Sequence, residues 1–106
     1  MASIVWTETA LNDMNGIAEY ISLDSAFYAK QFVAKIFLAV NKLEKYPELG
    51  KQIRELSKFS YKEILFKKYR IIYRLQADTI YIITVHHSSR LLENSEYYSS
   101  LYDDDL

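Results

Sequence analysis

An α+β fold is what this 106-residue chain predicts, and three observations predict it. Two stretches with apolar residues at helical spacing follow one another in the first half. After Gly50 the apolar period falls to two and stays there, so the strands are grouped rather than alternated with helices. The breaks between the last strands, Lys67-Lys68 and Gln76-Ala77-Asp78, leave room only for hairpins, which makes the sheet largely antiparallel.

The elements follow in order. Ser3 to Trp6 (SIVW) is a short apolar run long enough for one strand. From Thr7 onward Ala10, Leu11, Met14, Ile17, Ala18 and Ile21 recur in three- and four-residue steps, the stripe of an amphipathic helix. Thr7 or Thr9 can cap it, and Glu8 sits at the positive end of its dipole. Gly16 costs that helix about 1 kcal/mol relative to alanine. The break Ser22-Leu23-Asp24-Ser25 offers Asp24 or Ser25 as the next N-cap. A second helix then aligns Phe32, Val33, Ile36, Val40 and Leu43 and runs to about Tyr46, ended by Pro47 and Gly50. So short a break folds the two helices into an antiparallel hairpin.

Beyond Gly50, Gln52 to Leu56 alternates weakly and Tyr61 to Phe66 alternates better. Tyr69 to Leu75 and Thr79 to His86 are the strongest strand signals, rich in Ile, Tyr, Val and Thr. Ser89 to Tyr102 has room for a short terminal helix. The sequence reads as a single domain over 1–102, followed by an acidic tail over 103–106 expected to be disordered. The helix hairpin should cover one sheet face and leave the other open.

Composition narrows the function classes. No cysteine is present, which excludes disulfides and thiol chemistry, and no apolar run approaches the roughly 20 residues of a membrane span. The N-terminus, MASIVWTETA, lacks the pattern of a signal peptide, so a soluble, cytoplasmic protein with no membrane partner is expected. The net charge of −1 hides a strong segregation. Residues 51–74 hold eight Lys/Arg against two Asp/Glu, a net of +6, whereas residues 75–106 hold one against six, a net of −5. Such a concentrated cationic segment either solvates strand edges or awaits an anionic partner.

In the strand at 69–75, strict alternation puts Tyr69, Ile71, Tyr73 and Leu75 toward the helices and Arg70, Ile72 and Arg74 on the opposite face. In the next strand it groups Ile80, Ile82, Thr84 and His86 on one face and Tyr81, Ile83, Val85 and His87 on the other. A cationic groove of Arg70, Arg74, Lys62, His86 or His87, and Arg90 is one reading. Surface ion pairs of Arg70 and Arg74 with Glu55 or Glu63, worth little energy, are the other. Either histidine could act as a general acid or base, but adjacent strand residues point to opposite faces, so at most one serves a given site. A metal site is not expected, since the two histidines diverge and no cysteine exists. The two glycines cannot build a phosphate loop, no GxSxG stretch supports a serine nucleophile, and no cofactor is implied.

The segments IVWTETALNDMNGIAEYIS, LEKYPELGKQIREL, EILFKKYRIIYRL and DTIYIITVHHSSRLL, in this order and spacing, resemble the RelE/ParE superfamily of toxins from type II toxin–antitoxin pairs. The resemblance covers nearly the whole chain and implies the same helix hairpin and sheet. It also implies a cognate antitoxin with an acidic segment wrapping the toxin, and contact with DNA only through that antitoxin. One branch of the superfamily cuts messenger RNA on the ribosome. In that reading Arg70, Arg90, His86 and His87 are the candidate catalytic residues. The other branch poisons DNA gyrase, and Lys62, Arg70, Arg74 and Arg90 become candidate contacts with target or antitoxin. Where the nucleases carry a second strand lysine, this chain has Glu63 or Ile64, and His86-His87-Ser88-Ser89-Arg90 looks closer to the gyrase-directed branch. The near-neutral net charge points the same way, because binding ribosomal RNA requires neutralising many phosphates. A degenerate, non-toxic member that only binds antitoxin for autorepression is the third reading.

Overall fold

A computed structural model describes residues 1–53 and 61–88. A strand β1 (Ser3–Trp6) leads into helix α1 (Glu8–Ser22), then helix α2 (Ala26–Asn41), a 3₁₀ turn (Lys42–Glu44) and strands β2 (Lys51–Gln52), β3 (Tyr61–Phe66), β4 (Tyr69–Gln76) and β5 (Thr79–His87). The five strands form one sheet in the order β1-β5-β4-β3-β2. Three of its ladders are antiparallel, as the short breaks require, while β1 joins the far edge parallel to β5. The hairpin of α1 and α2 is what makes that parallel pairing possible, since it carries the chain back across the sheet.

Local chemistry sets the helix ends. Thr7 is the cap of α1: its hydroxyl accepts from the Ala10 amide at 3.2 Å and donates to the Ile82 carbonyl at 2.7 Å, so one side chain starts the helix and ties it to β5. Ser25 caps α2 by accepting from the Tyr28 amide at 3.2 Å. The second helix ends earlier than the apolar period suggests. Its α geometry stops at Asn41 and tightens into the 3₁₀ turn Lys42–Glu44.

The main core lies between the hairpin and one sheet face. Ala10 and Met14 from α1, and Phe32, Ile36 and Val40 from α2, pack with Ile71, Tyr73, Ile80, Ile82 and Val85. Phe32 sits edge-on to both Phe66 and Tyr69, with ring centroids 5.8 and 5.1 Å away. Strict alternation fails in β5. Tyr73 pairs with Ile82 but Ile72 pairs with Thr84, so a bulge at Ile83 inserts one residue. Ile80 and Ile82 therefore share the helix-side face with Val85 and His87, and the grouping of Ile82 with Thr84 and His86 is corrected. Among the described residues no helix is long and apolar enough to cross a membrane.

Candidate functional site

The ladder register decides which candidate residues meet. Arg70 lies opposite Leu65 on β3 and His86 on β5; Arg74 lies opposite Tyr61 and Tyr81. Directly opposed residues share a face, so Arg70, Ile72, Arg74, Thr84 and His86 all stand on the sheet face away from the helices. Lys51 and Glu63, opposed to each other on β2 and β3, join them. The expectation that both strand arginines face away from the hairpin holds.

Lys62 does not join this group. It lies opposite Tyr73, on the helix side of β3, where its ammonium sits 3.2 Å from the Glu48 carboxylate. The one-residue offset from Glu63 is the reason: in a strand a single step exchanges faces. A groove uniting Lys62 with Arg70 and Arg74 is thus corrected. His87 also turns away, toward the helix side, and packs edge-on against Tyr69 with centroids 5.3 Å apart. Arg90 and the expected terminal helix lie outside the described residues, as do the tail and most of the weak strand at 52–56.

The outer face is less open than a one-sided sheet implies. Tyr61, Ile72, Thr84 and His86 on it are all buried, His86 to 2% exposure. Arg70 is committed as well. Its Nε lies 2.5 Å from Glu63 Oε2, with both side chains about 15% exposed. Glu63 is opposite Ile72, two residues from Arg70's own partner, so the guanidinium reaches diagonally across the ladder to it. Of the two carboxylates that the sequence offered the arginines, Glu63 is the one that Arg70 takes.

Sequence reasoning missed two polar connections that shape the site. Asp13 of α1 accepts from the Thr84 hydroxyl at 2.5 Å and the Val85 amide at 3.0 Å. It thereby occupies the edge of β5 beyond the end of β1 and holds α1 against the strand that carries the histidines. A cleft of about 610 Å³ opens beside it, lined by Asn12, Asp13, Gly16, Tyr20, Tyr69 and His87 among others. Tyr73 reaches through the core to donate to the Pro47 carbonyl and accept from the Gly50 amide, both at 2.8 Å. Burial pushes its phenol above the ordinary tyrosine value, partly opposed by the Gly50 hydrogen bond. Hydrophobic spacing alone carries no mark of either connection.

The arrangement places Lys51, Arg70 and Arg74 on one sheet face together with the Glu63 carboxylate, which Arg70 meets, and the buried His86 imidazole. Among the described residues no group of three metal-ligating side chains occurs.

Comparisons with known proteins agree on the fold and the family. The family model for the ParE toxin of the type II toxin–antitoxin system parDE matches residues 4–92. The curated protein Toxin RelE2 of Caulobacter vibrioides is 30% identical over 95 residues, covering 86% of this chain and all of that protein. Among solved structures, a chromosomal ParDE toxin–antitoxin system from P. aeruginosa superposes with a TM-score of 0.67 at 19% identity, over 82% of this chain and 96% of the other. A chain of the toxin–antitoxin complex RelBE2 from Mycobacterium tuberculosis gives 0.58 at 24% identity, over 81% and 96%. With the helix hairpin, the sheet order and a family match spanning most of its length, this chain belongs to the ParE toxin family of type II toxin–antitoxin systems, within the RelE/ParE superfamily.

Proposed function

We propose that this toxin arrests growth by protein–protein contact with DNA gyrase, and that a cognate antitoxin neutralises it. The observation that carries the choice of target is the pairing of Arg70 with Glu63. An endoribonuclease needs an uncommitted guanidinium at the scissile phosphate, where developing charge must be stabilised. Here that guanidinium is neutralised and mostly buried, and Lys62 stands on the other side of the sheet beside Glu48. His86, the histidine opposite Arg70, is likewise withdrawn from solvent. Arg74, Arg90 and the C-terminal segment are the proposed gyrase contacts.

The helix hairpin supports the antitoxin part of the reading. Tyr20, Leu23, Phe27 and Tyr28 near its connection are strongly exposed, and a groove of about 510 Å³ lined by Ala18, Ala26, Ala29 and Val33 runs between the helices. Exposed apolar surface of this kind suits a segment that orders as it binds.

The test compares two assays on the purified chain: supercoiling and cleavage-complex formation by gyrase, and messenger cleavage in the A site of ribosomes. Inhibition in the first without cut messenger in the second is expected. Cleavage of messenger by the unmodified chain would replace this reading with the ribosome-dependent endoribonuclease. Failure of the chain to arrest growth when expressed alone would leave a non-toxic antitoxin binder.

A further inference from the structure

The partly exposed positions of the outer sheet face carry some of what a single-stranded nucleic acid requires. Among the described strand residues it carries Lys51 on β2 and Arg70 and Arg74 on β4, with β3 between them, and the partly exposed Tyr81 lies opposite Arg74. Cations beside an accessible aromatic ring are the elements with which proteins hold a phosphate backbone and its bases. Against them stands one acid, Glu63, and its position is central. It faces Lys51 on one side and Ile72 on the other, and its carboxylate meets Arg70 at 2.5 Å.

We propose that Glu63 is a specificity-determining residue that keeps single-stranded RNA off this face. Its carboxylate takes the place at the Arg70 guanidinium that a phosphate oxygen would take, and adds a repulsive charge beside Lys51. Two physical effects combine. The Nε donor of the guanidinium is directed at a fixed internal partner, so a phosphate oxygen at that donor must displace a charge-assisted bond to gain one of similar strength. The local field is lowered by one unit charge in a place shielded from water, where screening is weak. Rejection of the wrong partner by a built-in like charge is an ordinary route to specificity. The inference rests on the gyrase reading for its biological sense, but its physical content concerns RNA affinity alone.

The experiment measures binding of a short fluorescein-labelled oligouridine RNA to the full chain as a function of salt. Four proteins are compared: the unmodified chain, Glu63→Gln, the double variant Glu63→Gln/Arg70→Gln, and Glu8→Gln. Glu8 is an exposed acid in the first turn of α1, so its variant repeats the net-charge change elsewhere. Glu63→Gln should bind roughly tenfold tighter than the unmodified chain, with a salt slope steeper by about 0.7, the mark of one additional phosphate contact. The double variant should return to the original affinity, because the released guanidinium is then gone. Equal gains in Glu63→Gln and Glu8→Gln, or no gain in Glu63→Gln, would overturn the proposal.

Should Glu63→Gln not fold, Arg70→Gln in the unmodified background still decides the matter. A masked guanidinium contributes nothing to RNA binding, so affinity should be unchanged. A fall of several-fold would show that Arg70 was available despite Glu63 and would refute the mask. Messenger cleavage by the unmodified chain on ribosomes would sink the gyrase reading while leaving these affinities as they are, so the two failures are distinguishable.

Discussion

Tyr73 shows how much one side chain can hold. Its ring belongs to the core, and its hydroxyl bonds the Pro47 carbonyl and the Gly50 amide, fastening the turn after α2 to the middle of the sheet. Removing that hydroxyl in Tyr73→Phe leaves both backbone groups without it and should cost about 1–3 kcal/mol, read from denaturant unfolding. The pH dependence has a definite sign. Burial raises the phenol in the folded chain above its value of 10.0 in an unfolded one, so the folded state keeps its proton longer. That contribution is fully present below about pH 10 and is lost as pH rises through the folded value. Alkaline destabilisation should thus be shallower in Tyr73→Phe than in the unmodified chain, compared by melting temperature against pH. The two glycines behave oppositely. A Cβ on Gly50 would lie 2.6 Å from the Tyr73 ring and hydroxyl and 2.8 Å from the Glu63 carbonyl, so Gly50→Ala should destabilise by about 1–3 kcal/mol. Nothing lies within 4 Å of a Cβ on Gly16, and Gly16→Ala should stabilise α1 by about 0.5–1 kcal/mol. Thermal melts of the two variants check both signs.

At the scale of elements, the connection between α1 and β5 decides the shape of the site. β1 accompanies β5 only from Thr79 to Ile82, and beyond that point Asp13 supplies the acceptor that a strand would have supplied. Asp13→Ala should therefore speed hydrogen exchange at the Val85 amide far more than at the Ile71 amide in the sheet interior. A cost of about 1–3 kcal/mol is expected from the donors it abandons. Equal exchange at both amides would mean that the carboxylate does not guard the edge. Much at this scale was legible in the sequence, because hydrophobic period, caps and hairpin breaks are local: both helices, and β3, β4 and β5, follow from them, and the caps were narrowed to Thr7 or Thr9 and Asp24 or Ser25, of which the structure uses Thr7 and Ser25. The bulge at Ile83 was not legible, since one inserted residue leaves no compositional trace and alternation passes through it unbroken. The parallel docking of β1 was not legible either. It depends on partners more than seventy residues away, which no local period encodes.

For the whole molecule, the site was legible in residue type more than in arrangement. Arg70 and Arg74 face away from the helices as alternation requires, but the choice of Glu63 for Arg70 and the departure of Lys62 come from register and side-chain reach across strands. On the proposed gyrase reading, Arg70→Ala should retain most of the growth arrest, because that reading does not call on a guanidinium held by Glu63; loss of arrest in a variant shown to be folded would count against that target. One topological fact has a temporal meaning. Among the described residues the strand Ser3–Trp6 finds its ladder partner in Thr79–Ile82, so it waits for a strand synthesised more than seventy residues later. Until those distant residues emerge, the sheet edge and the underside of α1 stay uncovered, and chain closure is a slow, late event on the folding path. Trp6, the sole tryptophan, with its ring tilted against that of Phe37 at a centroid distance of 4.6 Å, is a natural clock for it. In stopped-flow refolding its fluorescence should change after the far-ultraviolet signal of the helices, so that a newly made copy completes this edge of its sheet last.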